Sequence, residues 1–410
     1  MIRMKFVIEK SLVTGGRIGL ITYAGRNTNL TLETPLCTLF TKGGSAPHLG
    51  LDMLKRVSGV PDIAVMNLGS LADHHESVAE YGKGLGEFTA MKNHLIFTTQ
   101  HDASAAMFSG KNDNTGVAIW GKGGKTKLDT KLFMKIQEAF LPDWFQAMSD
   151  GDTDQDSTNK RLNKAVSRTL DFLDDIVEKQ KNSEFLKKSS LIGVIEGGFS
   201  ERERKRSAKE TAARPVDGFL IEGFEKGNNS GKDIFSNEDF LKILSFTLKE
   251  LPENKPRIME SVWSPLQVIK AFKLGVDVFS SAYPHTLTEK GLALAADYRL
   301  PACSQSARLE QCCDNTPEVH GLYIDLKNSR YFSDFSPLLP DCQCYTCSNF
   351  TCSYIHHLLN TKELLAYVLL TMHNFHQYFD FFRHLRQAVK TDRLDKLEES
   401  LTNQMKFVER

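Results

Sequence analysis

Short apolar runs alternate with longer amphipathic segments between residues 191 and 282. Four runs have the length and composition of buried strands: residues 191–195, 218–221, 257–259 and 276–279. Because β-type runs separated by helical runs build parallel βα units, this part of the chain predicts an α/β fold with a parallel sheet.

The segments between those runs carry the start and stop signals of helices. Ser200 and Glu203 fit a capping box. A second segment has Ser264 with Gln267, and Pro265 stands at its first helical position. Gly275 suits the cap that ends this second helix. Local signals therefore support the helices that the alternation predicts.

A polar residue directly follows each predicted strand. These residues are Glu196, Glu222, Glu260 and Ser280. In a (β/α) barrel the C-terminal ends of the strands form the active-site face, so all four are candidate site residues. The alternative is that strand ends are polar simply because they meet solvent.

Near the C-terminus, apolar residues recur at the spacing of a helix. Asn360 with Glu363 fits the start of this helix. Its apolar stripe comprises Leu364, Leu365, Val368, Met372, Phe375, Phe379 and Phe382. Such a stripe indicates core packing or, because it is rich in aromatic residues, a subunit interface.

Composition and charge narrow the class of protein. The 410 residues, 41% of them apolar, suffice for one large barrel-type domain or two ordinary domains. The 51 basic residues balance 51 acidic ones, so no overall field favours a polyanionic partner. Without a signal-type segment or an apolar run of membrane-spanning length, the sequence predicts a soluble cytoplasmic chain.

A cluster of three cysteines, Cys342, Cys344 and Cys347, predicts a metal site. Thiolates together with imidazole are the ligands that structural zinc prefers. A disulfide set is the alternative, and the other cysteines are Cys37, Cys303, Cys312, Cys313 and Cys352. The crowding and the expected reducing compartment favour metal over disulfides.

The spacing of residues along the sequence does not identify the fourth metal ligand. Four of the histidines that follow the cysteine cluster are candidates, namely His356, His357, His373 and His376. A closed shell of three cysteines and one histidine has no free coordination position, so it predicts one structural zinc ion per chain.

An acidic segment, residues 149–156, contains four aspartates and a glycine. It lacks the twelve-residue calcium-loop pattern that ends in a bidentate glutamate. The segment is therefore predicted to be a solvated loop.

Several segments, in the same order along the chain, resemble the tRNA-guanine transglycosylases. Those like the family's zinc subdomain are residues 324–331, 334–337, 342–347, 354–357 and 371–374. Those elsewhere are residues 16–22, 34–35, 67–69, 193–198, 217–223 and 275–279.

The resemblance implies an α/β fold, a (β/α)8 TIM barrel with an inserted zinc-binding subdomain near the C-terminus. Residues 1–410 would form a single domain, with the zinc subdomain at about residues 320–390 within it. The family's zinc motif selects His373 as the fourth ligand beside Cys342, Cys344 and Cys347. Its enzymes replace guanine at tRNA position 34 with a 7-deazaguanine, queuine in eukaryotes, through a covalent bond between an aspartate and ribose C1′.

Departures from the family's motifs lie at the catalytic positions. The nucleophilic aspartate is replaced by Ser280, for which the sequence offers no evident base. Glu196 and Glu222 stand where the base-binding pocket has a glutamine and a Gly-Gly pair. Asp102 falls near the family's general base, and Asp150 lies near its base-recognition aspartate. The resemblance therefore implies a chain without catalytic residues.

The function so implied is that of a non-catalytic subunit of the heterodimeric, queuine-inserting enzyme. It would support dimerisation with the catalytic subunit and binding of tRNA with guanosine-34. The resemblance also implies peripheral association with the mitochondrial outer membrane. The alternatives are an active transglycosylase that uses Ser280, Asp277 or a displaced carboxylate, and a zinc-stabilised binder of tRNA or queuine. A homodimer of the isolated chain stays open.

Overall fold

The computed structural model describes residues 4–23, 30–105, 112–121, 123–224, 234–300 and 322–406. Cys303, Cys312 and Cys313 lie outside these residues. The chain divides into two compact units. The first comprises Met1–Ser45, Pro61–Val262 and Lys270–Ser280, and the second comprises Ala46–Val60, Trp263–Ile269 and Ser281–Arg410.

The strands of the first unit form three groups. An antiparallel sheet comprises β1 (Met4–Ser11), β2 (Arg17–Tyr23) and β3 (Thr31–Thr34). A closed barrel comprises β4 (Leu36–Phe40), β5 (Ile63–Asn67), β6 (Leu95–Thr99), β9 (Trp144–Gln146), β10 (Ser190–Ile195), β11 (Gly218–Ile221), β12 (Arg257–Met259) and β13 (Val278–Ser280). A hairpin of β7 (Val117–Gly121) and β8 (Gly124–Leu128) lies between β6 and β9 in the sequence.

All neighbouring barrel strands pair in parallel, and β13 closes the barrel by pairing with β4. The predicted α/β barrel is therefore confirmed. Every residue of β10 is buried, as expected for a strand that is covered on both faces.

The helices are bounded as follows. They are α1 (Leu51–Leu54), α2 (Leu68–Leu71), α3 (His75–Tyr81), α4 (Gly84–Phe88), α5 (Thr130–Phe140), α6 (Asn159–Asn182), α7 (Glu201–Ala212), α8 (Glu238–Lys249), α9 (Pro265–Leu274), α10 (Ala282–Lys290), α11 (Tyr345–Asn349), α12 (Cys352–Asn360), α13 (Leu364–Lys390) and α14 (Leu394–Lys406). None of the described helices combines the length and apolar character needed to cross a membrane.

The predicted caps are confirmed. The Ser200 side chain accepts a hydrogen bond from the Glu203 backbone at the start of α7. The Gln267 side-chain oxygen accepts a hydrogen bond from the backbone N–H of Ser264 just before α9. Gly275 follows α9 with a φ of +109°, a left-handed conformation that glycine adopts at little cost.

One end of the barrel is filled by apolar side chains. Phe6, Ile21 and Leu32 of the antiparallel sheet share a buried cluster with residues at the beginnings of β4, β5 and β6. The antiparallel sheet therefore covers the N-terminal end of the barrel. The opposite, C-terminal ends of the strands carry the polar candidate residues.

The second unit is mainly helical and contains a hairpin of β14 (Leu292–Leu294) and β15 (Tyr323–Asp325). The helix predicted to start at Asn360 begins later, because Asn360 ends α12 and Glu363 precedes α13. Lys362 between them has a φ of +59°, which breaks the helix. Of the predicted stripe, Leu364 is 74% exposed, whereas Met372, Phe375, Phe379 and Phe382 are buried.

Candidate functional site

Glu196, Glu222 and Glu260 directly follow β10, β11 and β12, and Ser280 is the last residue of β13. These four strands are neighbours in the barrel. Glu196 and Ser280 are 0% exposed and Glu222 is 8% exposed. Glu260 is partly buried. The alternative that strand ends are polar because they meet solvent therefore fails for Glu196, Glu222 and Ser280. A buried carboxylate needs polar partners to offset its lost hydration.

Glu222 is held by side chains from β9 and the loop after it. Gln146 Nε2 and Ser149 Oγ each donate a hydrogen bond to its carboxylate, both at 2.8 Å. Gln100 orients both Gln146 and Ser149. Its backbone N–H donates a hydrogen bond to Gln146 Oε1 at 2.9 Å, and its side-chain oxygen accepts one from the Ser149 N–H at 3.0 Å. Burial raises the pKa of Glu222, against the opposing effect of these hydrogen bonds.

Glu196 lies beside Glu222, and the two carboxylates interact. Gly223 has a φ of +83°, and a Cβ there would come within 2.6 Å of Glu196 Oε2, so this close approach requires glycine. Arg204 and Thr153 border the same space. Arg204 is buried, donates to two backbone carbonyls and lies 3.9 Å from the centre of a phenylalanine ring. Arg204, Thr153 and Gly223 therefore lie close beside Glu196.

Glu260 and Ser280 form a direct contact. The Ser280 hydroxyl donates a hydrogen bond to the Glu260 carboxylate, and Thr38 Oγ1 donates another at 3.1 Å. Burial, together with the smaller effect of the Glu222 charge, raises the pKa of Glu260 from 4.5 to about 7 against the opposing effect of these two hydrogen bonds. Ser280 thus has a titratable group beside it that the sequence did not reveal.

Asp102 belongs to a local turn. Its carboxylate accepts hydrogen bonds from the backbone and hydroxyl of Ser104, both at 2.8 Å. The neighbouring His101 contacts Gln100 at 2.8 Å, and burial lowers the pKa of His101 to about 4. His101 is therefore neutral near pH 7.

Asp150 is 0% exposed, so the prediction that residues 149–156 form a solvated loop is wrong at this position. Arg161 makes two hydrogen bonds to its carboxylate, at 2.9 and 2.6 Å, Arg168 makes one at 2.9 Å and Asn112 makes one at 2.8 Å. Burial favours the neutral acid, but these partners outweigh it and lower the pKa of Asp150. The carboxylate of Asp150 therefore connects the loop after β9 to α6 and to Asn112.

Asp277 precedes β13 and so lies at the N-terminal end of that strand. Arg17 Nε donates to its carboxylate at 3.0 Å, and the Arg257 backbone N–H donates to it at 2.8 Å. This buried pair joins β2 to the barrel wall. Its position at the opposite end of the strand from Ser280 contradicts a role for Asp277 as a displaced nucleophile.

Cys342, Cys344, Cys347 and His373 converge in the second unit. Their ligand atoms all lie within 4.8 Å of one another. His373 Nδ1 lies 3.8 Å from Cys342 Sγ, 3.5 Å from Cys344 Sγ and 3.4 Å from Cys347 Sγ. The four side chains therefore can hold a metal ion.

The geometry and surroundings of this cluster fit zinc. Tetrahedral bonds of about 2.3 Å to sulfur and 2.0–2.1 Å to nitrogen place these ligand atoms about 3.6 Å apart. The other ring nitrogen of His373 donates to the Leu294 carbonyl at 2.8 Å, which orients the ring. Gln377 Nε2 donates to Cys342 Sγ at 3.1 Å and stabilises negative charge on the sulfur.

The other three histidines lie outside the cluster. His356 donates to a backbone carbonyl at 2.8 Å, and His357 is exposed. His376 Nδ1 contacts Ser58 Oγ at 2.7 Å. Of the four candidate histidines, only His373 therefore belongs to the cluster.

Sequence reasoning missed the side chains that hold the glutamates. Gln100, Gln146 and Ser149 follow or end β6 and β9, which are five and three residues long. The sequence feature that could have identified these residues is the one that identified the glutamates, namely a polar residue at the end of a buried apolar run. It could be used only once those two short runs were recognised as barrel strands.

Comparisons with known proteins agree with this architecture. The sequence model of the family described as Queuine tRNA-ribosyltransferase matches residues 12–406. The chain is 42% identical to a human protein named queuine tRNA-ribosyltransferase accessory subunit 2, over 98% of this chain and 100% of that protein. Proteins of the same name from Gallus gallus and Aedes aegypti are 40% and 30% identical, over 95% and 98% of this chain and 95% and 93% of their own lengths.

These matches run through both compact units and include the barrel strand ends and the cysteine cluster. A family match over nearly the whole chain, together with relatives that match over nearly their full length, establishes the relationship. The chain belongs to the queuine tRNA-ribosyltransferase family.

Proposed function

We propose that this chain is the non-catalytic accessory subunit of a heterodimeric queuine tRNA-ribosyltransferase. It pairs with a catalytic subunit and supports the exchange of guanine-34 for queuine in tRNA, the step that leads to queuosine. The full-length relatives named accessory subunit 2 support this assignment. The proposal rests mainly on Ser280, which the resemblance of the surrounding motif puts at the position of the family's nucleophilic aspartate and which contacts Glu260.

A serine is poorly suited to the family's reaction. A carboxylate with an ordinary pKa of about 3.9 is ionised at neutral pH and leaves again readily once bonded to ribose C1′. A serine alkoxide is a far stronger base, so the bond from a serine oxygen to C1′ is a stable acetal that does not turn over. A base beside Ser280 does not remove this barrier to the second step.

An active transglycosylase is the second candidate, and the contact between Glu260 and Ser280 is the observation that favours it. Glu260 has a pKa of about 7, in the range of a general base. The crowded surroundings of Glu196 and Glu222 and the leaving-group argument oppose it. If the isolated chain exchanges guanine and Ser280→Ala abolishes this, the active enzyme replaces our proposal.

We also propose that Cys342, Cys344, Cys347 and His373 hold one structural zinc ion. Three thiolates and one imidazole occupy all four positions of a tetrahedral ion, so no position stays open for water or substrate. The ion would stabilise the packing of the α11 region against α13. Residues 1–410 then form one family domain in which the zinc subdomain spans about residues 320–390.

The proposed location is the cytoplasm, with peripheral binding to the mitochondrial outer face. Fractionation of cells with and without a salt wash tests this location. A chain retained inside mitochondria after protease treatment would contradict it.

Complex formation tests the subunit assignment. The purified chain and a catalytic family member are mixed at micromolar concentration and analysed by size-exclusion chromatography with light scattering. A stable 1:1 complex is expected. Two separate species would support the remaining alternative, a zinc-stabilised binder of tRNA or queuine that never joins an enzyme.

A further inference from the structure

A second cluster of metal-ligating side chains lies in the second unit. It consists of His48, His285 and Glu289, whose ligand atoms all lie within 4.8 Å of one another. His48 Nε2 is 2.7 Å and His285 Nδ1 is 3.7 Å from the same oxygen, Glu289 Oε1. None of these residues belongs to the Cys3His cluster.

Local structure explains how the three side chains meet. His285 and Glu289 are four residues apart on α10, so they project from the same face of that helix. His48 lies in the segment before α1 and has a φ of +60°, an uncommon conformation for a residue other than glycine. Its ring stacks on Tyr367 with centroids 5.4 Å apart, which fixes the imidazole over α10.

The spacing is close to that of ligands around one ion. Nitrogen and oxygen ligands bound at 2.0–2.2 Å in a tetrahedral site lie about 3.3 Å apart. The observed separations of 2.7 and 3.7 Å fall on either side of that value. Two imidazoles and one carboxylate suit zinc and other divalent transition metals better than calcium or magnesium.

Electrostatics and exposure also favour a cation here. Glu289 is in the last turn of α10, where the helix dipole disfavours a negative charge. The side chains of His48 and Glu289 are 26% and 49% exposed, whereas that of His285 is 4% exposed. An ion could therefore enter from solvent and keep a fourth position for water.

We propose that His48, His285 and Glu289 form a second, exchangeable site for a divalent transition-metal ion. It differs from the Cys3His cluster in its oxygen and nitrogen donors and in its exposure. The proposal does not depend on the function proposed above. Its rival is a plain hydrogen-bonded pair between His48 and Glu289 that binds no ion.

Metal titration separates the two. The full-length protein is dialysed against a mild chelator, which leaves a closed thiolate site loaded, and is then equilibrated with Co²⁺. We expect the wild-type chain to take up one further ion, without the thiolate charge-transfer absorption that a cysteine-bound Co²⁺ produces. His48→Asn and Glu289→Gln should each weaken that uptake by at least about tenfold.

The variants suit this test because both residues are exposed and asparagine tolerates a positive φ. His357→Asn and Glu363→Gln are matched controls at exposed positions of the same unit and should bind like wild type. Absence of a further ion in the wild-type chain would overturn the proposal. Uptake that both site variants retain in full would overturn it equally, since the ion would then bind elsewhere.

Discussion

The hydroxyl of Ser280 donates a hydrogen bond to the carboxylate of Glu260. The two residues come from the ends of adjacent strands, β13 and β12. In our account Ser280 stands in place of a nucleophile. Its hydroxyl donates a hydrogen bond to the Glu260 carboxylate, whose pKa burial has raised to about 7. We therefore expect the contact to stabilise the barrel end and to carry no covalent step.

Ser280→Ala tests that distinction. Guanine exchange by the complex with the catalytic subunit should stay within about twofold of the wild-type rate, because no bond to Ser280 forms during turnover. The free energy of unfolding should fall by about 1 kcal/mol, the contribution of one hydrogen bond. The two quantities are measured by an exchange assay and by urea denaturation. A loss of exchange beyond tenfold at intact complex formation would implicate the hydroxyl in catalysis.

The raised pKa of Glu260 predicts a pH dependence of stability. Its pKa is about 7 in the folded chain against an ordinary 4.5, so the folded state binds more protons between these values. Stability should therefore fall as pH rises from 4.5 to 7, by up to about 2–3 kcal/mol from this group. Glu260→Gln cannot ionise and should lose that part of the decline.

The difference between wild type and Glu260→Gln in urea denaturation at several pH values measures this contribution. Glu238→Gln, at an exposed position, is the control and should follow the wild-type curve. A Glu260→Gln curve parallel to wild type from pH 4.5 to 7 would show that Glu260 titrates normally.

Asp150→Asn should destabilise the chain by about 2–3 kcal/mol, because it leaves Arg161 and Arg168 without their shared carboxylate. Their side chains are 27% and 16% exposed, so solvent reduces the loss from the value of a fully buried pair. Asp156→Asn, at an exposed position of the same segment, should be close to neutral. Denaturation midpoints of the two variants provide the comparison, and equal midpoints would remove the structural role of Asp150.

Cys344→Ser should lose the bound ion and at least about 3 kcal/mol of stability, because a structural zinc contributes directly to folding. Metal analysis of the purified chain should find about one tightly held ion per chain in wild type and none in this variant. Cys352→Ala, a buried cysteine outside the cluster, should keep the ion. A metal-free native protein as stable as wild type would contradict the zinc assignment.

Local signals in the sequence predicted local structure well. The caps at Ser200 and Ser264 depend on contacts three residues apart, so a short window contains all the information they need. The start of α13 depends instead on Lys362, whose left-handed backbone interrupts a continuous helical pattern. Nothing in the residue type of lysine signals that conformation.

The sequence predicted which residues belong to the candidate site, but it did not predict the burial or the contacts of their side chains. Strand-end position alone selected Glu196, Glu222, Glu260 and Ser280. Their burial, and the contact that joins Glu260 to Ser280, depend on which strands are neighbours in the closed barrel. The sequence likewise placed Asp150 near the family's base-recognition aspartate, but it did not reveal that two arginines on α6 bind its carboxylate.

Guanine exchange on tRNA with guanosine-34, measured with labelled queuine, tests the central claim most directly. The chain alone, the catalytic subunit alone and their mixture are assayed at equal concentrations. Our account predicts no turnover by the chain alone and turnover by the mixture above that of the catalytic subunit. Turnover by the isolated chain, abolished by Ser280→Ala, would contradict it.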